Sequence, residues 1–383
     1  MKAIIVGGGI AGLATAIGLI NKGMEVEVYE SAAAFKPVGA AILLAPNGLE
    51  VLRQLSGELL DEVMDRGGRI DQMLLTTYQG KRLGGSMAKE GKHSCAIHRA
   101  DLIDILKSRI PANALHVGKS FESYQENPDH TIQVHFEDGS HAQGDFLVGT
   151  DGIKSQVRQQ MLGDLPYRYS GQTCWRAIVP YQLPSNYQNT FVEAWGKTRG
   201  LRVGFGAVNP QDVYFFATYF TEPNGQDNRA NLKDHLMNLY QDFMPVVTDF
   251  LQVTPVEAIL RNDIYDLVPI HQWYHKQTVL VGDAAHATTP NMGQGGNQAL
   301  ESAWVLSQCI NTKANLSESF AQYQQMRVKK AHKIVSNSWK ISQMVNLRGG
   351  LLRGLRNKAI QMVPDKVSQA SLRKVYALDY KFE

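Results

Sequence analysis

Three glycines, Gly7, Gly9 and Gly12, stand between an apolar β-rich run, Ala3-Ile4-Ile5-Val6, and a stretch of helical apolar spacing from Ile10 to Ile20. Such a junction suits a pyrophosphate. The first glycine permits a tight turn, the second lets backbone approach the phosphates, and the third lets the helix pack on the strand. Ala11 belongs to the same turn, and the helix start offers free N–H groups and partial positive charge to an anion. Val26-Glu27-Val28-Tyr29 reads as a second strand, and Glu30 at its end falls 18 residues past Gly12, where a carboxylate can accept both ribose hydroxyls. A carboxylate there repels a 2′-phosphate, so the resident nucleotide reads as FAD or NAD rather than NADP.

Two distant junctions repeat the strand-then-turn pattern. Phe146-Leu147-Val148-Gly149-Thr150 runs into Asp151-Gly152-Ile153-Lys154-Ser155-Gln156-Val157-Arg158. Thr278-Val279-Leu280-Val281 runs into Gly282-Asp283-Ala284-Ala285-His286, then Pro290 and Gly293-Gln294-Gly295-Gly296-Asn297, ahead of a helix. Each places a carboxylate and glycines at the C-terminal end of a strand, where open α/β sheets bind ligands. Singly, either aspartate could be no more than a helix cap. His286 has the chemistry of a base, although a structural place in this motif is the stronger reading.

From Met1 to about Lys333 the order of these motifs resembles the class A single-component flavoprotein aromatic hydroxylases: GGGIAG, Glu30, Pro37-Val38-Gly39-Ala40-Ala41-Ile42, Arg99 in HRADL, DGIKSQVR, and GDAAH with the later glycine-rich turn. The resemblance implies an α/β fold, with a Rossmann-like FAD-binding domain, an inserted mixed β-sheet substrate domain and a C-terminal helical segment. It implies FAD held at Gly7, Gly9, Ala11, Gly12, Glu30, Ser31, Gly39, Leu43, Arg99, Val117, Asp151, Arg158, Asp283, Pro290, Gly293, Gln294, Gly295, Gly296 and Asn297. Ser31 stands where many relatives carry arginine. Asp283 would hold ribityl hydroxyls, Asp151 and Arg158 would serve FAD and NAD(P)H jointly, and the Gly293–Asn297 turn would aim N–H groups at the flavin. NADPH or NADH would be a transient co-substrate, since no second GxGxxG appears. The implied reaction uses O2 and a flavin hydroperoxide to hydroxylate a small aromatic or heteroaromatic substrate. The segments 39 to 41 and 293 to 296, with Gly39, Gly293, Gly295 and Gly296, would let the flavin ring move between two positions.

Within the family the nearest pattern is that of the bacterial FAD-dependent urate hydroxylases, through PVGAAI…PNG, TTP…GQGG, and an arginine and tyrosine twelve apart, here Arg202 and Tyr214. The arginine would hold a substrate anion and the tyrosine would donate to the ring. Asn291 replaces an aspartate of that pattern. A four-residue loop at 209 to 212 would also pair Val208 with Val213, putting Arg202 and Tyr214 on opposite faces. Only an odd loop or a bulge brings them together. Two alternatives share the fold, an epoxidase or reductase of an isoprenoid and an FAD-binding sensor without turnover. A halogenase is disfavoured because WxWxIP is absent.

These motifs need elements to hold them apart. At 383 residues the chain predicts two or three domains. Motif placement divides it into a discontinuous FAD-binding part (1–75, 95–163, 278–326), a substrate sheet (76–94, 164–277) and a terminal segment (327–383). Strands with alternation fill 164 to 276, and the aromatics Tyr214, Phe215, Phe216, Tyr219 and Phe220 read mainly as core wall, with one edge closing over the flavin. Three cysteines without CxxC predict neither disulfides nor a metal site. The uncharged stretch Ala3–Asn21 holds four glycines among its first ten residues, Gly7, Gly8, Gly9 and Gly12, that a membrane anchor would not need, so a cytoplasmic enzyme, monomer or homodimer, is expected without integral membrane association.

The net charge of +3 conceals an asymmetry: residues 327–383 carry 13 Lys/Arg against 3 Asp/Glu, leaving 26 against 33 in the rest. The acidic body disfavours nucleic acid. Leu347, Leu351, Leu352, Leu355, Ala359, Met362 and Val363 recur at helical spacing, which predicts a helix packed on the body by its apolar side with a solvated basic face. Peripheral membrane contact, or a lid for an apolar substrate, is the alternative.

Overall fold

The unbroken apolar run at the N-terminus forms a central parallel strand, Lys2–Val6, buried from Ala3 onward as burial on both faces requires. In this computed structural model, which describes residues 1–35, 40–88, 93–310 and 315–382, that strand lies between Phe146–Gly149 and Glu25–Glu30, parallel to both. Leu115–Val117 extends one side, and Thr278–Leu280 with the short antiparallel Tyr274–His275 extends the other. The helices Ile10–Ile20 and Gly295–Cys309 pack together beside this six-stranded sheet. Gly18 lies so close to Ser307 that a Cβ would sit 2.5 Å from its hydroxyl oxygen.

A seven-stranded sheet stands apart from the first, in the order Leu260–Leu267, Tyr167–Pro180, Asp212–Phe220, Arg202–Ala207, Thr190–Trp195, Gln72–Thr77, Arg82–Met87. Its two faces follow from the period of two in a strand. Val203, Phe205, Val213, Phe215 and Ala217 point into a core closed by the helices Leu232–Tyr240 and Pro245–Val253. Their neighbours Arg202, Tyr214, Phe216 and Thr218 share the opposite face, which looks toward the nucleotide-binding half. A small sheet of Ala41–Leu44, Ser94–His98 and Gly68–Ile70 bridges the two halves.

The hairpin register differs from the even-loop expectation. Ala207 pairs with Val213, so the loop is the five residues 208–212 and Arg202 pairs with Thr218. Asn209 explains the extra residue: its Oδ1 accepts from the N–H groups of Gln211 and Asp212, each at 2.8 Å, closing an Asx-type turn that a two-strand count overlooks. Arg202 and Tyr214 therefore lie on one face.

Leu316–Val345 is a single 30-residue helix. The tail that follows corrects the expected packing of the terminal helix. Gly350–Gln361 presents Arg356, with Arg353, Asn357 and Ile360, to the body. Leu351, Leu352, Leu355 and Met362 are 78%, 52%, 55% and 81% exposed. Arg356 explains the inversion. Its guanidinium lies 4.4 Å from the centre of the Trp195 ring and donates to the Met344 carbonyl, which no leucine could do. Burial lowers its pKa to about 10, which still leaves it charged at neutral pH.

Candidate active site

The glycine turn has the three properties a dinucleotide site needs, each for its own steric reason. Gly7 has φ +109° and a Cβ there would meet the Thr150 carbonyl oxygen at 2.5 Å. At Gly12 a Cβ would overlap the Gly7 carbonyl oxygen, so only glycine lets the helix sit this close. Around the Cβ direction of Gly9, by contrast, nothing lies within 4 Å. The helix begins at Gly9 with no side-chain cap, leaving its first N–H groups for an anion. Glu30 accepts from the Gly8 N–H at 2.8 Å and the Ala32 N–H at 2.8 Å, and Ser31 donates to it at 3.2 Å. Val117, paired with Glu30, is exposed on the same rim. These features fit a dinucleotide such as FAD. Gly39 lies outside the described residues.

Asp283 opens the short helix after Gly282, which has φ +67° and packs on Ala11. Its side chain is exposed to the cleft yet sits deep in the molecule, so burial raises its pKa while Arg99 across the cleft pulls it down. Arg99 begins the helix Arg99–Lys107 and is itself exposed. An open carboxylate facing an open guanidinium suits polyol hydroxyls and phosphate respectively.

Other residues of the expected cofactor set also tie the scaffold together. Asp151 accepts from the Gln156 and Val157 N–H groups at 2.8 and 3.1 Å, capping the helix Gln156–Leu162, and burial raises its pKa. Arg158 is buried and donates to the carbonyls of Ala284 and Ile153 at 2.9 and 2.6 Å, tying the two distant junctions together. Asn297 is fully buried. It accepts from the Ala45 N–H at 2.8 Å and donates to the carbonyls of Leu43 and Gly293, which fixes the strand edge against the glycine turn. Gln294 accepts from Asn47 and Gln298. Pro290 begins a 3-10 turn, Gly293 adopts the left-handed conformation at φ +59° beside Leu43, Gly295 lies next to Thr288, and at Gly296 a Cβ would strike Ile42. His286 is buried against Trp273 and pairs with Ser302 at 2.8 Å, and burial with Arg327 lowers its pKa to about 3. It is a neutral core residue.

Facing this cleft, the sheet offers an apolar slot. Ile70, Ala96, Phe191 and Val208 are its buried members, with Leu43, Met73, Ile178, Tyr214 and Phe216 around them. Phe191 and Phe216 stack at 6.4 Å, and Gly204 has no side chain because the Phe216 ring lies across it. Burial raises the pKa of Tyr214, so its phenol is neutral. Arg202 faces the same slot at 1% exposure, but its guanidinium is engaged. It donates to Glu193 at 3.0 Å, to Thr218 at 3.3 Å and to Asn291. Asn291 in turn donates to Thr289, Ser342 and the Ser338 carbonyl. Glu193 was not legible in advance, because its partnership with Arg202 depends on which strands neighbour each other.

A second ionic cluster also went unread. Glu301 and Arg327, both fully buried, pair with each other, and Tyr380 and Lys330 complete the group. Burial pushes the Glu301 carboxyl up, but Arg327 and Lys330 outweigh it and the net pKa is lowered. No local spacing signals it, because Glu301 and Arg327 lie on separate helices.

Residues 1–338 match the FAD binding domain family. The chain is 33% identical to aurachin C monooxygenase/isomerase of Stigmatella aurantiaca, covering 98% of this chain and 97% of that protein. It is 31% identical to the FAD-dependent urate hydroxylase of Klebsiella oxytoca, with 88% of each covered, in line with the pattern read from the sequence. It is 30% identical to 2-heptyl-3-hydroxy-4(1H)-quinolone synthase of Pseudomonas aeruginosa, covering 98% and 97%.

Proposed function

The chain belongs to the FAD binding domain family and is an FAD-dependent monooxygenase, and from that premise we propose that its substrate is a planar heteroaromatic ring bearing an apolar chain. The observation that carries this reading is a cavity of about 280 Å3 whose wall includes Ile70 and Met73, the same two residues that line the ring slot. Pro46, Met87, Leu372 and Tyr376 make it largely apolar. A ring held between Phe216 and the cofactor could send a substituent past Met73 into this space, where burial rewards each methylene.

Bound FAD would supply the redox chemistry of a monooxygenase, with NAD(P)H as reductant and O2 as the source of the oxygen added to the ring and of the water released. The cofactor would be held by the Gly7–Gly12 turn, Glu30, Arg99 and Asp283. Phe191, Phe216, Leu43 and Ile178 exclude water from the reacting face. The neutral Tyr214 hydroxyl orients the ring by donating to a ring carbonyl or nitrogen. Arg202 cannot serve a substrate carboxylate on equal terms, because Glu193 already meets its charge and would repel a second anion. An uncharged ring such as a quinolone fits this electrostatic setting better than urate or a benzoate.

The test is NADPH oxidation, O2 uptake and product mass with 4-quinolones of increasing 2-alkyl length, the unsubstituted ring, urate and hydroxybenzoates. Expected is a rise in kcat/KM of about fourfold per methylene until the cavity is filled, with a product heavier by one oxygen. Equal or better turnover of the bare ring would remove the chain from the proposal. Indifference of flavin reduction to every ring would remove the substrate class.

A further inference from the structure

The Gly350–Gln361 helix is amphipathic in the wrong sense for a helix that only packs on its own protein. Its arginine side faces inward, and its apolar stripe faces outward. Leu351, Leu352, Leu355 and Met362 form that stripe on one side, Val363 continues it at 44% exposure, and Val367 of the next helix adds to it at 53%. Scattered exposed leucines need no explanation, but a contiguous row of this size marks an interaction surface.

The charges around the row select its partner. From Lys340 to Lys374 the chain carries eight Lys/Arg and one acidic residue, Asp365. Arg348, Lys358 and Lys366 are exposed around the stripe. Pairing with a second copy about a twofold axis would set this cationic fringe against its own image, with a single carboxylate per copy against eight basic residues. An anionic lipid surface has the opposite charge, and its acyl boundary accepts the leucines. We propose that the Gly350–Gln361 helix docks this enzyme on an anionic membrane surface. The attachment is interfacial: no helix among the described residues is long and apolar enough to cross a bilayer.

Docking there places the bilayer beside the enzyme's apolar cavity. The same helix covers the sheet edge Arg82–Met87, with Gln361 donating to the Arg82 carbonyl at 3.1 Å and Ile360 lying 3.6 Å from where a Gly84 Cβ would be. Met87, 59% exposed, belongs both to that edge and to the cavity wall. A molecule dissolved in the lipid would meet the cavity without crossing water.

The experiment is co-sedimentation of the FAD-loaded protein with vesicles of phosphatidylcholine alone and of phosphatidylcholine with phosphatidylglycerol, alongside its mass in solution by light scattering. Binding is expected only to the anionic vesicles, weakening as salt is raised. Leu351→Glu with Leu355→Glu should weaken it by about a hundredfold, since each buried leucine is worth at least a factor of ten. Arg348→Glu with Lys358→Glu should weaken it about tenfold or more. Flavin content and turnover of a water-soluble ring should stay unchanged in both variants, which shows that they fold. Equal binding to both vesicle types, no binding to either, or a dimer that the leucine variants dissociate in the absence of vesicle binding would each overturn the proposal.

Discussion

The cofactor cleft and the substrate face are built on different principles. In the cleft the critical demands are made on backbone: a left-handed φ at Gly7, no Cβ at Gly12, open space at Gly9, and a carboxylate at the end of the next strand. Each demand is met by residue type within a short stretch of chain. On the substrate face the demands are on side chains that come from separate strands, Arg202, Glu193, Tyr214 and Phe216, and the arrangement exists only because the hairpin loop has five residues rather than four. A backbone-coded site is robust to changes elsewhere in the sheet. A register-coded one depends on every turn that sets it.

The contrast can be broken most forcefully at Gly12. Gly12→Val would overlap Gly7 and Thr150, and FAD affinity should fall by about a thousandfold or more, as a clash of several kcal/mol implies. Flavin absorbance of the purified protein reads this out, and a yellow, FAD-replete variant would contradict the steric account. Deleting Gln211 attacks the other side of the comparison. An even loop would turn the Tyr214 side away from Arg202, and kcat/KM should drop about a hundredfold from lost positioning while FAD stays bound. Retained turnover would mean that the face does not depend on register.

A smaller effect sharpens the view of the cleft's foundation. The folded pKa of His286, about 3, lies below its unfolded value near 6.5, so the unfolded chain takes up a proton that the folded protein refuses. Stability should be full above pH 6.5 and fall by about 1.4 kcal/mol per unit below it, or about 2 kcal/mol by pH 5. Urea midpoints at the two pH values check this, and His286→Gln should flatten that slope. Smallest is Tyr214→Phe, which removes one hydrogen bond to the ring. It should raise KM about tenfold and leave flavin content unchanged. An effect on flavin binding instead would place the tyrosine in the cofactor cleft.

Much of the fold could be read directly. Ala3–Val6, Phe146–Gly149 and Thr278–Leu280 are strands where apolar runs predicted them, because a strand buried on both faces leaves no polar positions. The strands between 164 and 276, with the aromatic run from Val213 to Phe220, were also legible, but not which parity entered which core. The roles of polar residues were harder. Arg158, Gln294 and Asn297 stand in a cofactor motif and spend their side chains on scaffold, because a motif reports position and not partner. The apolar stripe of the terminal helix was found, yet its direction was inverted by Arg356 on Trp195.

The sequence by itself determined the nucleotide-binding turn, the family, and a basic tail with a leucine stripe, since each rests on steric or compositional demands that travel with the residues. Only the tertiary structure decided that Arg202 is neutralised by Glu193, that Tyr214 shares its face, and that the stripe looks outward. Those outcomes depend on which strands become neighbours and in what register. That pairing is selected by the total burial and hydrogen bonding of the folded molecule, and no local stretch of chain contains it.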